Sequence, residues 1–395
     1  MNSAASGTVA LPVSLIAGPA AGFIANQVWQ TGNANAQVGL LSPSAPGLAQ
    51  PELSSQLFRL TSAHPAEISN QISTIAAAGG LDHLIIQCDE EQPLMAYASL
   101  FAMEPGERQP LVRLAHAAMA ITPEGLLHLL LPSTTKEGQG LACLTIEQLE
   151  FADTVFLESG SNVRDGELAR TVVAALNPRA ALLDSPANYA GLLLNTDGPA
   201  FDFGAALNAA EWRRLIEEER DPVSYSHGIS AMAYRARRPF HPERLWRLLH
   251  HDLHHVFRAK GFLWLATRTD FVGGLNLAGS ELQCAAAGQW WATRDSETRD
   301  QQMPQRTREE WQEPFGDRRQ AIALMAINVE PGVIREQLDA CLLTPDEMAG
   351  GPESWQHLPD PFPSWSNHEH HHDCGHDHHE CDHEHGSEPN DCCHH

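Results

Sequence analysis

The chain has 395 residues, 43% of them hydrophobic, which is enough for two globular domains. It contains 50 acidic and 25 basic residues, so its formal net charge at pH 7 is -25. Because an acidic surface repels phosphate backbones and anionic lipids, we expect neither nucleic acid nor membrane as a partner, and divalent cations become the better candidates.

The N-terminal region predicts no targeting signal. The first basic residue is Arg59, so a positively charged n-region is missing. The longest apolar stretch, residues 9–25, is broken by Pro12, Ser14 and Pro19 and is short for a membrane span. The cysteines before the tail are widely spaced and form no disulfide framework. These features favour a cytoplasmic protein.

The first half alternates strand-like and helix-like segments. Helical patterns occupy residues 23–30 and 164–176, and the second ends at Asn177-Pro178. Short apolar runs of buried-strand type lie at residues 11–16, 37–41, 84–88, 114–120, 154–157 and 181–183. This alternation predicts an α/β fold with a parallel sheet covered by helices on both faces.

The second half predicts a smaller α+β module. Residues 202–226 are polar and acidic, as in a connection between domains. The elements expected after it are a strand at 229–235, an amphipathic helix at 242–257, a strand at 261–266, a segment at 317–327 and a helix at 333–341. After residue 343 the chain becomes rich in Pro and Gly and leads into a tail.

The tail, residues 367–395, has the composition of a metal-binding segment. It holds eleven His, four Cys and eight Asp or Glu, with no Lys or Arg. Imidazole and thiolate together select borderline and soft divalent metals, zinc foremost. The alternative is a solvated acidic terminus that binds metal only adventitiously. The predicted ligands are His368, His370, His371, His372, Cys374, His376, His378, His379, Cys381, His383, His385, Cys392, Cys393, His394 and His395.

Residues 234–292, which contain the strings RPFHPER and RAKGFLWLATR, resemble the C-terminal domain of the CobW-like GTPases, a family of zinc metallochaperones. The likeness continues through residues 316–344. More weakly, EQLEFADTVFLESG, LNPRAALL and FDFGAAL resemble the family's GTPase domain. The resemblance implies a P-loop-like G domain at 1–205, a connection at 206–226, a CobW C-terminal domain at 227–345, and a disordered linker and tail at 346–395.

The phosphate-binding loop departs from the family pattern. That loop needs GxxxxGK[ST], in which backbone N–H groups and Lys hold the phosphates and a hydroxyl binds Mg²⁺. The corresponding run begins at Gly18 and includes Gly22, with Ile24 in place of the Lys and Ala25 in place of the hydroxyl residue. Pro19 also removes one backbone N–H. The loop is therefore degenerate.

Two further nucleotide elements are altered. Residues 158–161 read ESGS where the family's guanine-reading NKxD stands, and only Gln92-Pro93 within residues 87–93 is similar to its ESTGxxEP segment. The two lysines of the chain, Lys136 and Lys260, lie in no phosphate-binding motif. We therefore predict a pseudo-GTPase without catalytic residues and without GTP as a cofactor.

The internal metal site that the resemblance implies, a Cys-x-Cys-Cys after the switch region, is also missing. The corresponding segment, residues 67–81, contains no cysteine. Cys88 lies nearby and is interpreted either as a lone ligand or as a buried thiol, the more common situation. The coupling of GTP hydrolysis to metal delivery that the resemblance would imply is therefore not transferred to this chain.

A candidate second metal site lies in the predicted helix 242–257. His250, His251, His254 and His255 form two i,i+4 pairs, a spacing that places two imidazoles on one helix face. The alternative is a solvated face whose histidines suit the negative end of the helix dipole. His241 is expected to be structural, with Tyr234 or Arg238 as its partner.

The sequence thus favours a non-catalytic metal-binding protein that stores or delivers zinc, or another divalent transition metal, through the tail. Its C-terminal domain would contact a client or a paralogous protein, and the cluster of Arg235, Arg237 and Arg238 could dock an acidic partner. Two alternatives stay open: a GTP-dependent metallochaperone with divergent nucleotide motifs, and a regulatory partner of an active CobW-like GTPase.

Overall fold

The computed structural model describes residues 10–43, 56–62, 64–102, 111–130, 141–158, 162–195, 200–218 and 221–365. Residues Met1–Pro363 form one compact unit, and Ser364–His395 form a second unit of which only 364 and 365 are described. No helix among the described residues has both the length and the hydrophobicity that a membrane span requires.

The first half builds a parallel sheet, as the alternating pattern predicts. The strand order is β3-β2-β4-β1-β5-β6-β7, and each neighbouring pair is parallel. Three of these strands, at residues 38–42, 83–87 and 154–157, are buried along their whole length, because their apolar side chains are covered on both faces. The strands are β1 (Leu11–Ala17), β2 (Val38–Ser42), β3 (Leu57–Arg59), β4 (His83–Gln87), β5 (Val112–Ile121), β6 (Thr154–Leu157) and β7 (Ala181–Leu183).

Helices cover both faces of this sheet. One face packs in a cluster that contains Val13 and Leu15, and the other in a cluster that contains Ile16, since alternate residues of a strand point to opposite faces. The helices of this half are α1 (Ala21–Gly32), α2 (Pro65–Ala78), α3 (Leu94–Ser99), α4 (Pro123–Leu130), α5 (Ala142–Phe151), α6 (Val163–Leu176), α7 (Tyr189–Leu193) and α8 (Phe203–Leu207).

The second half contains an antiparallel sheet with the order β12-β11-β10-β13-β9-β8. Its strands are β8 (Val223–Ser224), β9 (Ile229–Ala236), β10 (Val256–Leu263), β11 (Phe271–Ala278), β12 (Glu281–Gln289) and β13 (Gln320–Ile327). Its helices are α9 (Glu211–Glu217), α10 (Pro242–Arg247), α11 (Ser296–Gln302), α12 (Gln305–Glu309), α13 (Pro331–Cys341), α14 (Pro345–Ala349) and α15 (Gly351–Trp355). The predicted fold class, a parallel α/β domain followed by a smaller α+β domain, is confirmed.

The predicted helix 242–257 is wrong in its second half. The α-helix ends at Arg247, and one π-helical turn follows over Leu248–Asp252. Val256 and Phe257 then begin β10, where they are buried against β13 and the core. The pairs of apolar residues in this segment fit a helical period. The last pair, Val256 and Phe257, nevertheless joins the sheet, because a β-branched and an aromatic residue pack well on a pleated surface.

The prediction of a disordered linker from residue 346 is also wrong for residues 346–365, the part of this segment that the structure describes. Thr344 forms a capping box with Glu347 at the start of α14. The indole of Trp355 is buried 6.2 Å from the Trp264 ring, centroid to centroid, and Phe362 is buried as well. The segment therefore belongs to the fold because its few aromatic residues reach the core.

Candidate functional site

The turn between β1 and α1 is the predicted phosphate loop. Gly18 has a φ of +98°, and a Cβ there would lie 2.6 Å from the carbonyl oxygen of Ala120, so glycine is required. The amide of Ala20 donates to that same carbonyl at 3.1 Å, and the amide of Ala21 donates to the Gly18 carbonyl at 2.9 Å. Two N–H groups of the loop thus bond to the protein's own backbone.

Ile24 and Ala25, at the predicted positions of the phosphate lysine and the Mg²⁺ hydroxyl, are both 0% exposed. They belong to an apolar cluster between α1 and the sheet that also contains Val28 and Phe156. Within the first turn of α1, the side chain that reaches solvent is that of Phe23, which is 56% exposed. The first turn of α1 therefore presents no cation and no hydroxyl to a phosphate.

A hydrogen bond joins the carboxyl ends of β2 and β4 beside this turn. Ser42, the last residue of β2, donates its Oγ proton to Oε1 of Gln87 at 2.5 Å. A Cβ on Gly22 would lie 3.1 Å from Gln87 Nε2, so the amide also stands close to the first turn of α1. The segment 87–93, similar to the family's ESTGxxEP, thus contributes a neutral amide that is bonded within the protein.

Cys88 is buried directly after β4, and its amide donates to the Ile16 carbonyl at 2.9 Å. Burial raises the pKa of its thiol well above the usual range. Because the thiolate is the metal-binding form, this environment opposes coordination. The structural interpretation of Cys88 is favoured. The segment 67–81, where a metal motif is expected from the resemblance, forms most of α2.

The guanine end of the expected nucleotide site carries a buried aromatic residue. Glu158 follows β6 and its amide donates to the Ile121 carbonyl at 3.1 Å, whereas residues 159–161 lie outside the described residues. Tyr189, at the start of α7, is fully buried with its ring 4.7 Å from the Phe156 ring. Burial, with Glu158 and Asp184 nearby, raises the pKa of Tyr189 to about 12. The Tyr189 side chain thus packs in the apolar cluster between α1 and the sheet.

The second predicted metal site is not assembled. Because the helix ends before His254 and His255, the two i,i+4 pairs do not lie on one helical face. His250 Nδ1 lies 2.9 Å from the Trp246 carbonyl, and the His254 and His255 ring centroids lie 4.0 Å apart with the rings tilted by 46°. Across the described part of the chain, no three His, Cys, Asp or Glu side chains form a group that could hold a metal ion.

His241 does not contact the partners expected for it. Tyr234 donates its hydroxyl proton to Asp339 Oδ1 at 2.7 Å, and Arg238 donates to the Leu343 carbonyl at 2.6 Å. The imidazole of His241 is buried, which lowers its pKa, and its Nδ1 has no hydrogen-bond partner among the described residues. Its structural position at the N-cap of α10 agrees with the prediction, but the predicted side-chain contacts were wrong.

The most highly buried charges join the two halves of the compact unit, and sequence analysis does not identify them. Arg258 of β10 donates to both carboxylate oxygens of Glu150 in α5, at 2.7 and 2.8 Å, and both side chains are buried. Lys260 of the same strand donates to Glu147 at 2.5 Å and lies 5.3 Å from the centre of the Trp212 ring. These contacts fix the C-terminal sheet against α5.

A second buried polar group lies inside the parallel sheet. His83 Nε2 and Ser14 Oγ are 2.9 Å apart, and the Ser14 hydroxyl also donates to the Leu193 carbonyl at 3.2 Å. Burial, with His116 and Arg113 nearby, lowers the pKa of His83 to about 4. The imidazole is therefore neutral at physiological pH.

All the predicted tail ligands, His368 to His395, lie outside the described residues.

Residues 229–342 match the family model described as the cobalamin synthesis protein cobW C-terminal domain. The chain is 31% identical over 240 residues to a zinc-regulated GTPase metalloprotein activator of Dictyostelium discoideum, a match that covers 58% of this chain and 50% of that protein. It is 33% identical over 232 residues to a zinc chaperone of Mycobacterium tuberculosis, covering 58% of this chain and 56% of that protein. The match thus spans about half the length of these relatives.

Among solved structures, the chain is similar to the Zn(II)-bound YjiA GTPase from E. coli. The identity is 14%, the TM-score is 0.34, and the match covers 85% of this chain and 99% of that chain.

Proposed function

We propose that this chain, whose residues 229–342 match the cobW C-terminal domain, is a zinc-handling protein of the CobW-like family that works without GTP hydrolysis. The His/Cys-rich tail binds the metal, and the C-terminal domain contacts a client or a paralogous protein in the cytoplasm. Two relatives named for zinc regulation and zinc chaperoning support zinc as the cargo. The proposal is that this chain stores or delivers the ion.

The observation that carries the non-catalytic part is the burial of Ile24 and Ala25. Each charge-assisted hydrogen bond to a phosphate contributes about 1.5–3 kcal/mol, and the P-loop lysine makes several of them. With an isoleucine in the core and no Mg²⁺ hydroxyl, those contacts are missing and phosphoryl transfer loses its main electrostatic support. The bonded amide of Gln87 beside this turn supports the same conclusion.

The chemistry of the tail supports the metal-binding part. Eleven imidazoles and four thiols are available, whereas one tetrahedral zinc ion takes four such ligands. The tail therefore has enough donors for several ions. Eight acidic side chains among them lower the electrostatic cost of gathering divalent cations.

Competitive zinc titration tests the proposal on three chains, each with and without Mg²⁺-GTP. These are the full chain, residues 1–366, and a full-length variant whose tail His and Cys residues are replaced by Asn and Ser. The variant keeps the length and the acidic charge, so it separates ligand chemistry from a charged terminus. We expect most zinc sites to disappear from both altered chains and GTP to have no effect. Equal binding by all three chains would refute the tail as the metal site.

Binding of a fluorescent GTP analogue with Mg²⁺ independently tests the proposal that the protein works without GTP. We expect no saturable binding in the micromolar range, because the loop has neither the lysine nor the hydroxyl residue. Micromolar binding would favour the alternative of a GTP-dependent metallochaperone with divergent motifs.

A further inference from the structure

A cavity of about 300 Å³ lies at the amino-terminal end of β6 in the parallel-sheet domain. The phosphate loop follows the carboxyl end of β1, so the cavity lies at the opposite end of the parallel strands. Six alanines, Leu192 and Phe201 make much of the lining apolar. The lining also contains four side chains that can carry charge, those of His116, Asp153, Arg179 and Asp202.

Asp153, directly before β6, has a carboxylate oxygen that no donor satisfies. Its Oδ2 lies 3.1 Å from His116 Nδ1. Although the side chain is 31% exposed overall, its Oδ1 is buried and has no hydrogen-bond partner. A buried acceptor left unpaired costs about 1–3 kcal/mol, and more when it is charged. The cavity therefore presents an acceptor that a donor on a ligand would satisfy.

Backbone bonds hold Asp153 in this position. Its amide donates to the Ala117 carbonyl at 3.0 Å, and its carbonyl accepts from the Ala181 amide at 2.8 Å. The residue is thus tied to the strands on both sides of it. Because the carboxylate is fixed before a ligand arrives, little free energy is lost in ordering it.

Two further acceptors line the same cavity. Since the Asp153 carboxylate only accepts, Nδ1 of His116 carries the proton, and Nε2 is the acceptor of the neutral ring. Oδ1 of Asp202 accepts from the Ala205 amide at 2.8 Å, whereas Oδ2 has no hydrogen-bond partner within the described residues. Three acceptors match the three N–H donors of an ammonium group.

The charge of the lining favours an organic cation. Two carboxylates and one guanidinium are present, so the described lining has one more negative than positive charge when His116 is neutral. The net charge of -25 on the whole chain also attracts cations. In the described part of the chain, no three His, Cys, Asp or Glu side chains form a group that could hold a metal ion, so N–H donors suit the cavity better than a metal does.

We propose that this cavity binds the ammonium group of a small organic molecule, as a simple amine or as an α-amino acid. The ammonium group donates to Asp153, His116 and Asp202, and the alkyl part of the ligand packs on the alanines and Phe201. A volume of about 300 Å³ is at the lower limit of pockets for drug-sized ligands, which suits a molecule of this size.

Arg179 distinguishes the two sources of the ammonium group. Its side chain is exposed, and its guanidinium forms no hydrogen bond or ion pair with the described residues. An α-amino acid has a carboxylate that can pair with this guanidinium, whereas a simple amine has none. Arg179 should therefore affect the binding of an amino acid but not that of an amine.

The test is calorimetric titration of the full chain with butylamine at constant ionic strength. Metal is removed beforehand with a chelating resin, because an amine could coordinate zinc on the tail. We expect saturable binding with a Kd of about 1 mM or below. Butan-1-ol has a neutral hydroxyl in place of the ammonium group and should bind about tenfold more weakly or worse.

Three variants locate the site. Asp153→Asn should weaken butylamine binding about tenfold or more, since it removes a charge-assisted contact. Asp346→Asn is the matched control, because it removes the same charge from an exposed position in α14, and it should stay within about twofold of the native chain. Ala205→Leu narrows the cavity without changing a charge, and it should weaken binding while the urea midpoint of unfolding stays near the native value.

Norvaline, which is butylamine with a carboxylate on the same carbon as the ammonium group, tests the amino-acid source. Tighter binding than butylamine, lost in Arg179→Gln, would support an amino acid as the ligand, whereas equal or weaker binding would support a simple amine. Pentanoate has the carboxylate without the ammonium group and should not bind. The proposal is overturned if the native chain shows no saturable butylamine binding, if butan-1-ol or pentanoate binds as tightly, if Asp346→Asn loses as much as Asp153→Asn, or if Ala205→Leu binds like the native chain. The zinc and GTP titrations do not affect this outcome.

Discussion

The substitution Ile24→Lys places a lysine at the position predicted for the lysine of the phosphate loop, and it should destabilise the protein. Ile24 is 0% exposed within an apolar cluster, so its replacement removes about 1.5–3 kcal/mol of hydrophobic burial. A lysine buried there would have its pKa lowered by about 3–5 units from about 10.4, which costs about 4–5 kcal/mol at pH 7, where the buried side chain would already be largely neutral. Because the long side chain can partly reach solvent, we expect a loss of at least about 4 kcal/mol in the free energy of unfolding.

Urea unfolding followed by tryptophan fluorescence measures this loss, with Phe23→Lys as the matched control. Phe23 is the neighbouring residue and is 56% exposed, so the same new charge should cost about 1 kcal/mol or less there. The loss in free energy of unfolding caused by Ile24→Lys should become smaller as the pH rises towards about 10, where the lysine also releases its proton in the unfolded chain. Equal stability of the two variants, or GTP binding by Ile24→Lys, would refute the assignment of Ile24 to the core.

Three further outcomes follow from buried groups. Arg258→Met should lower the free energy of unfolding by about 3–5 kcal/mol because Glu150 is left unpaired, and the double variant Arg258→Met/Glu150→Leu should recover much of it in the same urea assay. Burial lowers the pKa of His83 to about 4, whereas the unfolded chain takes up this proton near pH 6.5. Stability should therefore fall by about 3 kcal/mol between pH 6.5 and 4, and acid titrations of unfolding should show a shallower fall in His83→Gln. Trp355→Ala should cost about 3–5 kcal/mol, measured by thermal unfolding, and a negligible change would restore the interpretation of a disordered linker.

Six of the seven strands of the parallel sheet, all but the short β3, were predictable because their signal is local. Thr154–Leu157 and Ala181–Leu183 agree with the predicted bounds, since each is a short apolar run with polar or turn-forming flanks. The prediction that the phosphate lysine is replaced by Ile24 also depends only on local sequence, and the structure places that residue in the core. The C-terminal domain followed from the resemblance of long sequence strings.

The elements that sequence analysis missed depend on distant partners. Val256 and Phe257 fit a helical period, and only the pairing with β13 makes them a strand. Arg258 reads as one more polar residue, since its carboxylate partner is 108 positions away in sequence. Trp355 lies in a Pro/Gly-rich stretch whose composition indicates a linker, and its packing against Trp264 overrides that composition.

The contact between α5 and β10 has a consequence for modularity. The matched family segment begins at residue 229, yet Arg258 within it depends on a carboxylate from the first half. A gene fragment cut at that boundary would encode a sheet with an uncompensated cation on the surface that α5 normally covers. Domain grafts onto relatives should therefore exchange the whole segment from α5 onward, or transfer Glu150 together with its arginine.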